Sequence, residues 1–222
     1  IPASGKIVVL DVSLDVKVAF RALIENRIKS APLWDSEISD YVGMITVSDF
    51  INILRHFYHT QETDPSQISI QEEYQIKHWI EILPNAHENL VSVHPDESIF
   101  DAAEKLLDFR IHRVPIIDKQ SNNSTLHVLS HHRILTFLIS NVQDPDREIL
   151  MRRSVFELGI GTYNNVVSVL NDTPLIVALN LLAERQISSV PIVDETGVVG
   201  AIYSKSDAAA LAKHSQILSV LE

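Results

Sequence analysis

Two places in this sequence put a hydroxyl residue three positions before a carboxylate, where a helix is predicted to begin. Thr46 precedes Asp49, and Ser204 precedes Asp207. An Asp just inside a helix start can accept hydrogen bonds from both hydroxyls of a ribose, while the free N–H groups of the helix N-terminus favour an anion. This spacing suggests a nucleotide site. The alternative is that each Asp only stabilises its own helix.

Both pairs belong to a pattern that occurs three times along the chain. Each copy has a Pro, an Asp three residues later, a hairpin-like piece and a second hydroxyl residue. The separations from Pro to hydroxyl are 46−32=14, 130−115=15 and 204−191=13. A hairpin loop whose length differs from copy to copy would account for these differences. Repeats of this size are supersecondary modules. Recurrence in register weakens the helix-capping alternative.

The middle copy differs at the position of the carboxylate. Ser130 is followed three residues later by Arg133. A guanidinium has no acceptor for the ribose hydroxyls. We therefore expect no nucleotide in that pocket.

Each copy predicts the order helix, strand, strand, helix, which makes the fold class α/β (α+β). In the third copy Thr173 is the predicted N-cap and Pro174 the first helical residue, and two apolar β-branched runs, 187–193 and 198–203, flank a tight turn. The second and first copies predict strands at 111–117 and 126–129 and at 31–34 and 41–45. In the second copy the last helix is expected from Arg133. The predicted apolar helix stripes are Leu175, Ala178, Leu179 and Leu182; Ile99, Ala102, Ala103, Leu106 and Leu107; and Val16, Ala19, Phe20, Leu23 and Ile24.

The predicted domains are consecutive along the chain. They are repeat 1 (1–60), a helical connector (61–89), repeat 2 (90–142), a linker (143–163), repeat 3 (164–216) and a tail (217–222).

Composition excludes several classes of function. A formal net charge of −11 disfavours nucleic acid and anionic membranes as partners, so an anionic ligand must be met by local cations. The absence of cysteine excludes disulfides and thiolate metal sites. No long apolar run appears, and we expect a soluble protein of the cytoplasm or nucleus. Because the chain begins with Ile, it is expected to be an excised fragment.

The repeats resemble CBS domains, which pair in tandem around adenosine ligands. More closely, the runs 31–36, 42–46, 49–54, 111–113 and 160–163 resemble the gamma regulatory subunits of AMP-activated protein kinase. The resemblance implies that the first two repeats pair as a Bateman module. The family's fourth repeat does not follow here.

The resemblance also implies ligands, partners and site residues. AMP, ADP and ATP would compete for sites between repeats and allosterically control a kinase, with the catalytic alpha and scaffolding beta subunits as partners. The protein itself would be non-catalytic. A beta-subunit strand would extend the apolar run 7–10. The implied nucleotide contacts are Lys29, Met44, Ile45, Thr46, Val47, Ser48, Asp49, Val91, His112, Arg113, His132, Thr162, Val167, Ser188, Ser189, Ser204, Lys205, Ser206 and Asp207.

Three positions depart from the family pattern. Lys29 stands where vertebrate relatives usually have Arg, His132 where they have Lys, and Gln186 replaces a basic residue near the third site. Lys and His act as point donors, and His donates fully only when protonated. Weaker or more pH-dependent phosphate binding is therefore expected.

Two other functions remain open: a tandem CBS module that regulates a different effector, and a scaffold with decayed pockets. Catalytic hypotheses fail. The run Ser130-His131-His132 lacks the Gly-x-Ser-x-Gly elbow of a hydrolase. No His-x-x-x-His helix pair with an acid indicates a metal site, and no glycine-rich phosphate loop is present.

Overall fold

The computed structural model describes residues 7–63, 75–82, 90–120, 124–141 and 151–211. The predicted order of helix, strand, strand and helix is confirmed in all three repeats. Repeat 1 contains β1 (Leu10–Asp11), α1 (Val16–Glu25), β2 (Ser30–Asp35), β3 (Asp40–Thr46) and α2 (Val47–Thr63), and α3 (Ile76–Ile82) follows. Repeat 2 contains α4 (Ile99–Asp108), β4 (Arg113–Asp118), β5 (Ser124–Ser130) and α5 (His131–Asn141). Repeat 3 contains β6 (Val169–Leu170), α6 (Leu175–Glu184), β7 (Ser189–Val193), β8 (Val199–Ser204) and α7 (Lys205–Ala210).

The three hairpins have the same strand register. Ser30 pairs with Thr46, Arg113 with Ser130 and Ser189 with Ser204. The irregularity in each ladder falls between the first and second residues after the repeat's Pro. The unequal spacings found in the sequence therefore arise in the turns, as predicted.

The Asp three residues after the Pro of each repeat forms the turn of that repeat's hairpin. Oδ1 of Asp35 accepts a hydrogen bond from the N–H two residues later at 2.8 Å, and Asp118 and Asp194 do the same at 2.9 Å. Asx turns of this kind mimic a backbone turn. This part of the repeated motif has a structural role.

A short parallel strand lies beside two of the hairpins. β1 pairs with β2, and β6 pairs with β7. In repeat 2 a single parallel bridge joins Val93 to Ile116. Of the predicted edge strand at 7–10, only Leu10 lies in β1, so its predicted bounds are wrong; its extension by a beta subunit stays a prediction.

The chain divides into two compact units, one of residues 1–90 and 168–222 and the other of residues 91–167. In the first unit, repeats 1 and 3 share one hydrophobic core: Phe20 and Ile51 belong to the same buried cluster as Leu179, Leu182 and Val190. Helix α2 packs against α6 and α7. The pairing of the first two repeats stays a prediction.

The second unit has a smaller core, in which Ala102 and Leu106 of α4 lie with Val93, Val114 and Ile134. The predicted apolar stripe of α4 is partly wrong, because Ile99 is 42% exposed and Leu107 is 70% exposed. Leu107 lies about 100° around the helix from Leu106. Only the face that contacts β4 and α5 is covered, so both ends of the predicted stripe remain at the surface.

Two predicted helix starts are also corrected. Pro174 rather than Thr173 is the N-cap of α6 and makes no side-chain capping bond. Thr173 Oγ1 instead accepts from the Leu170 N–H at 3.0 Å, which ties it to β6. Helix α5 begins at His131 and not at Arg133, because it continues directly from β5.

The predicted helical connector packs on repeat 1. Backbone N–H groups of Ile76 and Lys77 donate to the carbonyls of Leu14 and Val12 at 2.9 and 2.8 Å. The ring of Trp79, which is buried, lies 5.0 Å from that of Phe57. Helix α3 therefore completes the core of the first repeat. Across the described residues, no helix is both long and apolar enough to cross a membrane.

Candidate functional site

The two Asp residues predicted to hold ribose lie in the first turns of α2 and α7. Thr46 donates to Asp49 Oδ2 from its N–H at 2.7 Å and from Oγ1 at 2.8 Å, and the Asp49 N–H returns a bond to Oγ1 at 3.4 Å. Ser204 donates to Asp207 Oδ2 at 2.9 and 2.6 Å and accepts at 3.3 Å. Both arrangements are capping boxes.

The helix-capping alternative therefore describes part of what these carboxylates do. Within the described ranges, the hydrogen bonds that the side chains of Asp49 and Asp207 accept all go to Oδ2. A carboxylate has about four acceptor positions on its two oxygens. Oδ1 of each group can accept further donors while Oδ2 holds the cap in place.

Backbone hydrogen bonds bring the start of each hairpin to the start of the following helix. The Val47 N–H donates to the Lys29 carbonyl at 3.3 Å, and the Lys205 N–H donates to the Ser188 carbonyl at 2.9 Å. Strand pairing places Ser189 opposite Ser204. In repeats 1 and 3 the predicted contact residues therefore gather at one end of each hairpin.

A side chain of repeat 3 reaches the helix start of repeat 1. Lys205 Nζ donates to Ser48 Oγ at 3.1 Å, beside Asp49. Burial raises the pKa of Asp49, and its hydrogen bonds with Thr46 and the charge of Lys205 oppose that rise. Burial likewise lowers the pKa of Lys205, and the carboxylate opposes that change. A cation of repeat 3 and a carboxylate of repeat 1 thus meet in a partly buried place.

The other predicted contacts of the first unit differ in exposure. Lys29, Ser188, Ser189, Ser206 and Asp207 are exposed. The side chain of Ile45 is 4% exposed and lies in the core, so that residue offers only its backbone to a ligand. Met44, Thr46, Val47 and Ser48 are half-buried.

Two hydroxyls near these helix starts were not found from the sequence. Ser30 Oγ and the Tyr203 hydroxyl are buried without a hydrogen-bond partner in the part of the chain that the structure describes. Ser30 pairs with Thr46, and Tyr203 directly precedes Ser204. Burial, with the charge of Asp207, raises the pKa of Tyr203 to about 12. Aligning the three hairpins would have signalled both positions, because each adjoins a capping hydroxyl.

Repeat 2 presents different chemistry at the same position. Arg133 is exposed, and α5 has no acidic residue in its first turn. The ring of His112 contacts that of His131 at 5.7 Å. Burial lowers the pKa of Arg113. Burial also lowers the pKa of His127, and the charge of Arg133 adds to this shift.

The remaining predicted contacts belong to the second unit. Val91 packs against its core, Val167 is half-buried, and Thr162 and His132 are exposed. Whether these residues share a ligand with those of the first unit stays a prediction. No group of three or more His, Cys, Asp or Glu side chains among the described residues could hold a metal ion.

The sequence matches the family described as CBS domain over residues 3–56, 81–140 and 148–207. The chain belongs to the CBS domain family. These three matches correspond to the three structural repeats, and they confirm the predicted fold class. A solved structure, protein MJ1225 from Methanocaldococcus jannaschii, shares this CBS fold with a TM-score of 0.74 and 14% identity, covering 97% of this chain and 73% of that one.

Curated relatives confirm the resemblance to kinase gamma subunits. The chain is 47% identical over 219 residues to the 5'-AMP-activated protein kinase subunit gamma of Dictyostelium discoideum, which covers 96% of this chain and 37% of that protein. It is 39% identical over 210 residues to subunit gamma-3 of Sus scrofa and of Homo sapiens, covering 94% of this chain and 40% and 42% of those proteins. The chain spans about two-fifths of the length of these relatives.

Proposed function

We propose that this chain is the nucleotide-sensing part of a gamma regulatory subunit of AMP-activated protein kinase. It binds AMP, ADP and ATP competitively at its CBS repeats and controls the catalytic subunit allosterically. It has no catalytic role of its own. The observation that carries the proposal is the meeting of Lys205 from repeat 3 with Ser48 and Asp49 of repeat 1.

That arrangement provides what an adenine nucleotide requires. An ionised Asp49 accepts ribose hydroxyls through its second oxygen, and Lys205 supplies a positive charge for phosphate. The N-terminus of α2 adds the positive end of a helix dipole. These local charges attract an anion although the whole chain carries a net charge of −11.

Sensing follows from competition. The three nucleotides share the adenosine that Asp49 and Asp207 hold, and they differ in the phosphates that reach the cations. A ligand shifts a conformational equilibrium only through different affinities for the two states. AMP and ATP therefore regulate the kinase in proportion to how differently their phosphates engage cations such as Lys29 and Lys205.

Calorimetric titration tests the binding step. AMP and then ATP are titrated into the purified chain and into Asp49→Ala and Asp207→Ala. Each substitution removes a capping box, which costs about 1 kcal/mol of stability. We expect Asp49→Ala to lose saturable binding because the ribose acceptor is gone.

Asp101→Ala is the matched control. Asp101 forms the same capping box with Ser98 at the start of α4, with bonds of 3.0, 2.7 and 3.1 Å, but α4 does not follow a hairpin. It should lose similar stability and keep nucleotide affinity. A folded wild-type chain that binds none of the three nucleotides would contradict the proposal, as would unchanged AMP affinity in Asp49→Ala.

A co-purification experiment tests the partners. The tagged chain is expressed with the catalytic alpha and scaffolding beta subunits, and we expect all three to elute together. Recovery of the chain without either kinase subunit would favour the tandem CBS module that regulates a different effector.

A further inference from the structure

One side chain of α2 ties repeat 1 to repeat 3 at a distance from the carboxylates. Arg55 donates from Nε to Asn180 Oδ1 at 2.5 Å and from Nη2 to Glu184 Oε1 at 3.1 Å. Both acceptors lie on α6, one turn apart. A guanidinium is a rigid planar fork, so bonding two groups in this way restricts the angle and position of α2 against α6.

The same face of α2 carries the contact with Lys205. Ser48 precedes Arg55 by seven residues, which is two helical turns or about 10 Å along the axis. Ser48 accepts from Lys205 Nζ at 3.1 Å. Two polar contacts, two turns apart on one helix face, resist both rotation and sliding of α2. The position of Asp49 relative to Lys205 therefore depends on how α2 is held against repeat 3.

We propose that Arg55 is a positioning residue for nucleotide binding, because its bonds to α6 hold Ser48 and Asp49 of α2 at Lys205 of repeat 3. The inference rests on the proposed function and extends it to a residue outside the predicted site. Arg55 does not need to touch the ligand. It sets the geometry in which the cation of one repeat and the carboxylate of the other act together.

The two acceptors contribute unequally. The side chain of Arg55 is 22% exposed, whereas that of Glu184 is 63% exposed. Exposed ion pairs contribute little because water and salt screen them. The bond to half-buried Asn180 and the planar shape of the guanidinium therefore matter more than the charge of Glu184.

Four single variants separate these effects. Arg55→Met keeps the aliphatic stem and removes both bonds. We expect AMP affinity to fall about 3- to 10-fold, which lies within the range for a residue that modulates a site without touching its ligand. Arg55→Lys retains one point donor and should recover part of that loss. Glu184→Gln should bind almost as well as the wild type. Arg21→Met, at an exposed position of α1, is the matched control and should show no loss.

A double-mutant cycle distinguishes positioning from stability. In a Lys205→Met background the cation that Arg55 positions is absent, so Arg55→Met should weaken AMP binding no further. A residue that only stabilises the fold would lower affinity equally in both backgrounds. Additive losses would therefore overturn the inference, and circular dichroism confirms that every variant is folded.

A ligand-free measurement keeps this test independent of the proposed function. The carboxyl carbon of Asp49 is titrated by NMR in the wild type and in Arg55→Met. The positive charge of Lys205 opposes the raised pKa of Asp49, so loss of positioning should raise that pKa further. If the wild type binds no nucleotide but the titration shifts, the proposed function fails and the positioning role stands. An unchanged titration, or unchanged AMP affinity in a chain that binds AMP, refutes the positioning role.

Discussion

In each repeat, a residue with a left-handed backbone follows the C-cap of the first helix, and none of the three is glycine. Arg27, Arg110 and Gln186 have φ values of 54, 52 and 53°. The N–H groups of Arg27 and Ile28 donate to the carbonyls of Ile24 and Leu23 at 3.0 and 2.9 Å. This is the Schellman pattern, in which glycine is preferred because it has no Cβ.

Replacing these residues by glycine is therefore expected to stabilise the protein. A left-handed conformation costs a residue with a Cβ about 1–2 kcal/mol. Glycine relieves that strain but loses about 0.5–1 kcal/mol through the greater freedom of the unfolded chain. The net gain should be about 0.5–1 kcal/mol for each of Arg27→Gly, Arg110→Gly and Gln186→Gly.

Urea denaturation measures the gain. Both tryptophans, Trp34 and Trp79, lie in the unit that contains Arg27 and Gln186, so their fluorescence reports its unfolding. Circular dichroism follows Arg110→Gly in the other unit. We expect each midpoint to rise with an unchanged denaturant slope.

Two controls make the reasoning refutable. Arg27→Ala removes the same side chain but keeps the Cβ, and should bring no gain. Glu104→Gly lies at an exposed position inside α4 and should cost about 1 kcal/mol, as glycine does within helices. If all three glycine variants are destabilised, or if Arg27→Ala gains as much as Arg27→Gly, backbone strain is not the cause.

Three further predictions concern the site and the shared core. AMP affinity should fall on acidification, because burial raises the pKa of Asp49 and the protonated carboxyl group has lost an acceptor for ribose. Calorimetry across pH measures this fall, and a flat profile contradicts it. Without ligand, the wild type should gain stability relative to Asp49→Asn as the pH falls through the raised pKa of Asp49, because burial disfavours the ionised carboxylate. Urea denaturation measures this difference, and a wild-type midpoint that falls relative to that of Asp49→Asn would contradict it. Leu182→Ala in repeat 3 should cost about 2–5 kcal/mol and lower the tryptophan-reported midpoint, although both tryptophans lie outside that repeat; an unmoved midpoint would mean that repeats 1 and 3 unfold separately.

The sequence determined the repeat and most of its local structure. Three copies of one spacing predicted the order of helices and strands. The differences in spacing between the copies fall in the hairpin turns that contain Asp35, Asp118 and Asp194. The pairs Thr46–Asp49 and Ser204–Asp207 located the helix starts. These signals act over three to fifteen residues, so they depend on local hydrogen bonds and backbone preferences that a single sequence displays.

Tertiary structure decided which faces are covered and which repeats meet. The stripe of α4 predicted burial of Ile99 and Leu107, yet its partners cover only the face of Ala102 and Leu106. The contact of Lys205 with Ser48 joins residues 157 positions apart, and that of Arg55 with Asn180 joins residues 125 apart. Helical periodicity shows which residues share a face but not the width of the surface that packs on it. Long-range contacts depend on how whole helices pack, and no local pattern in the sequence specifies that packing.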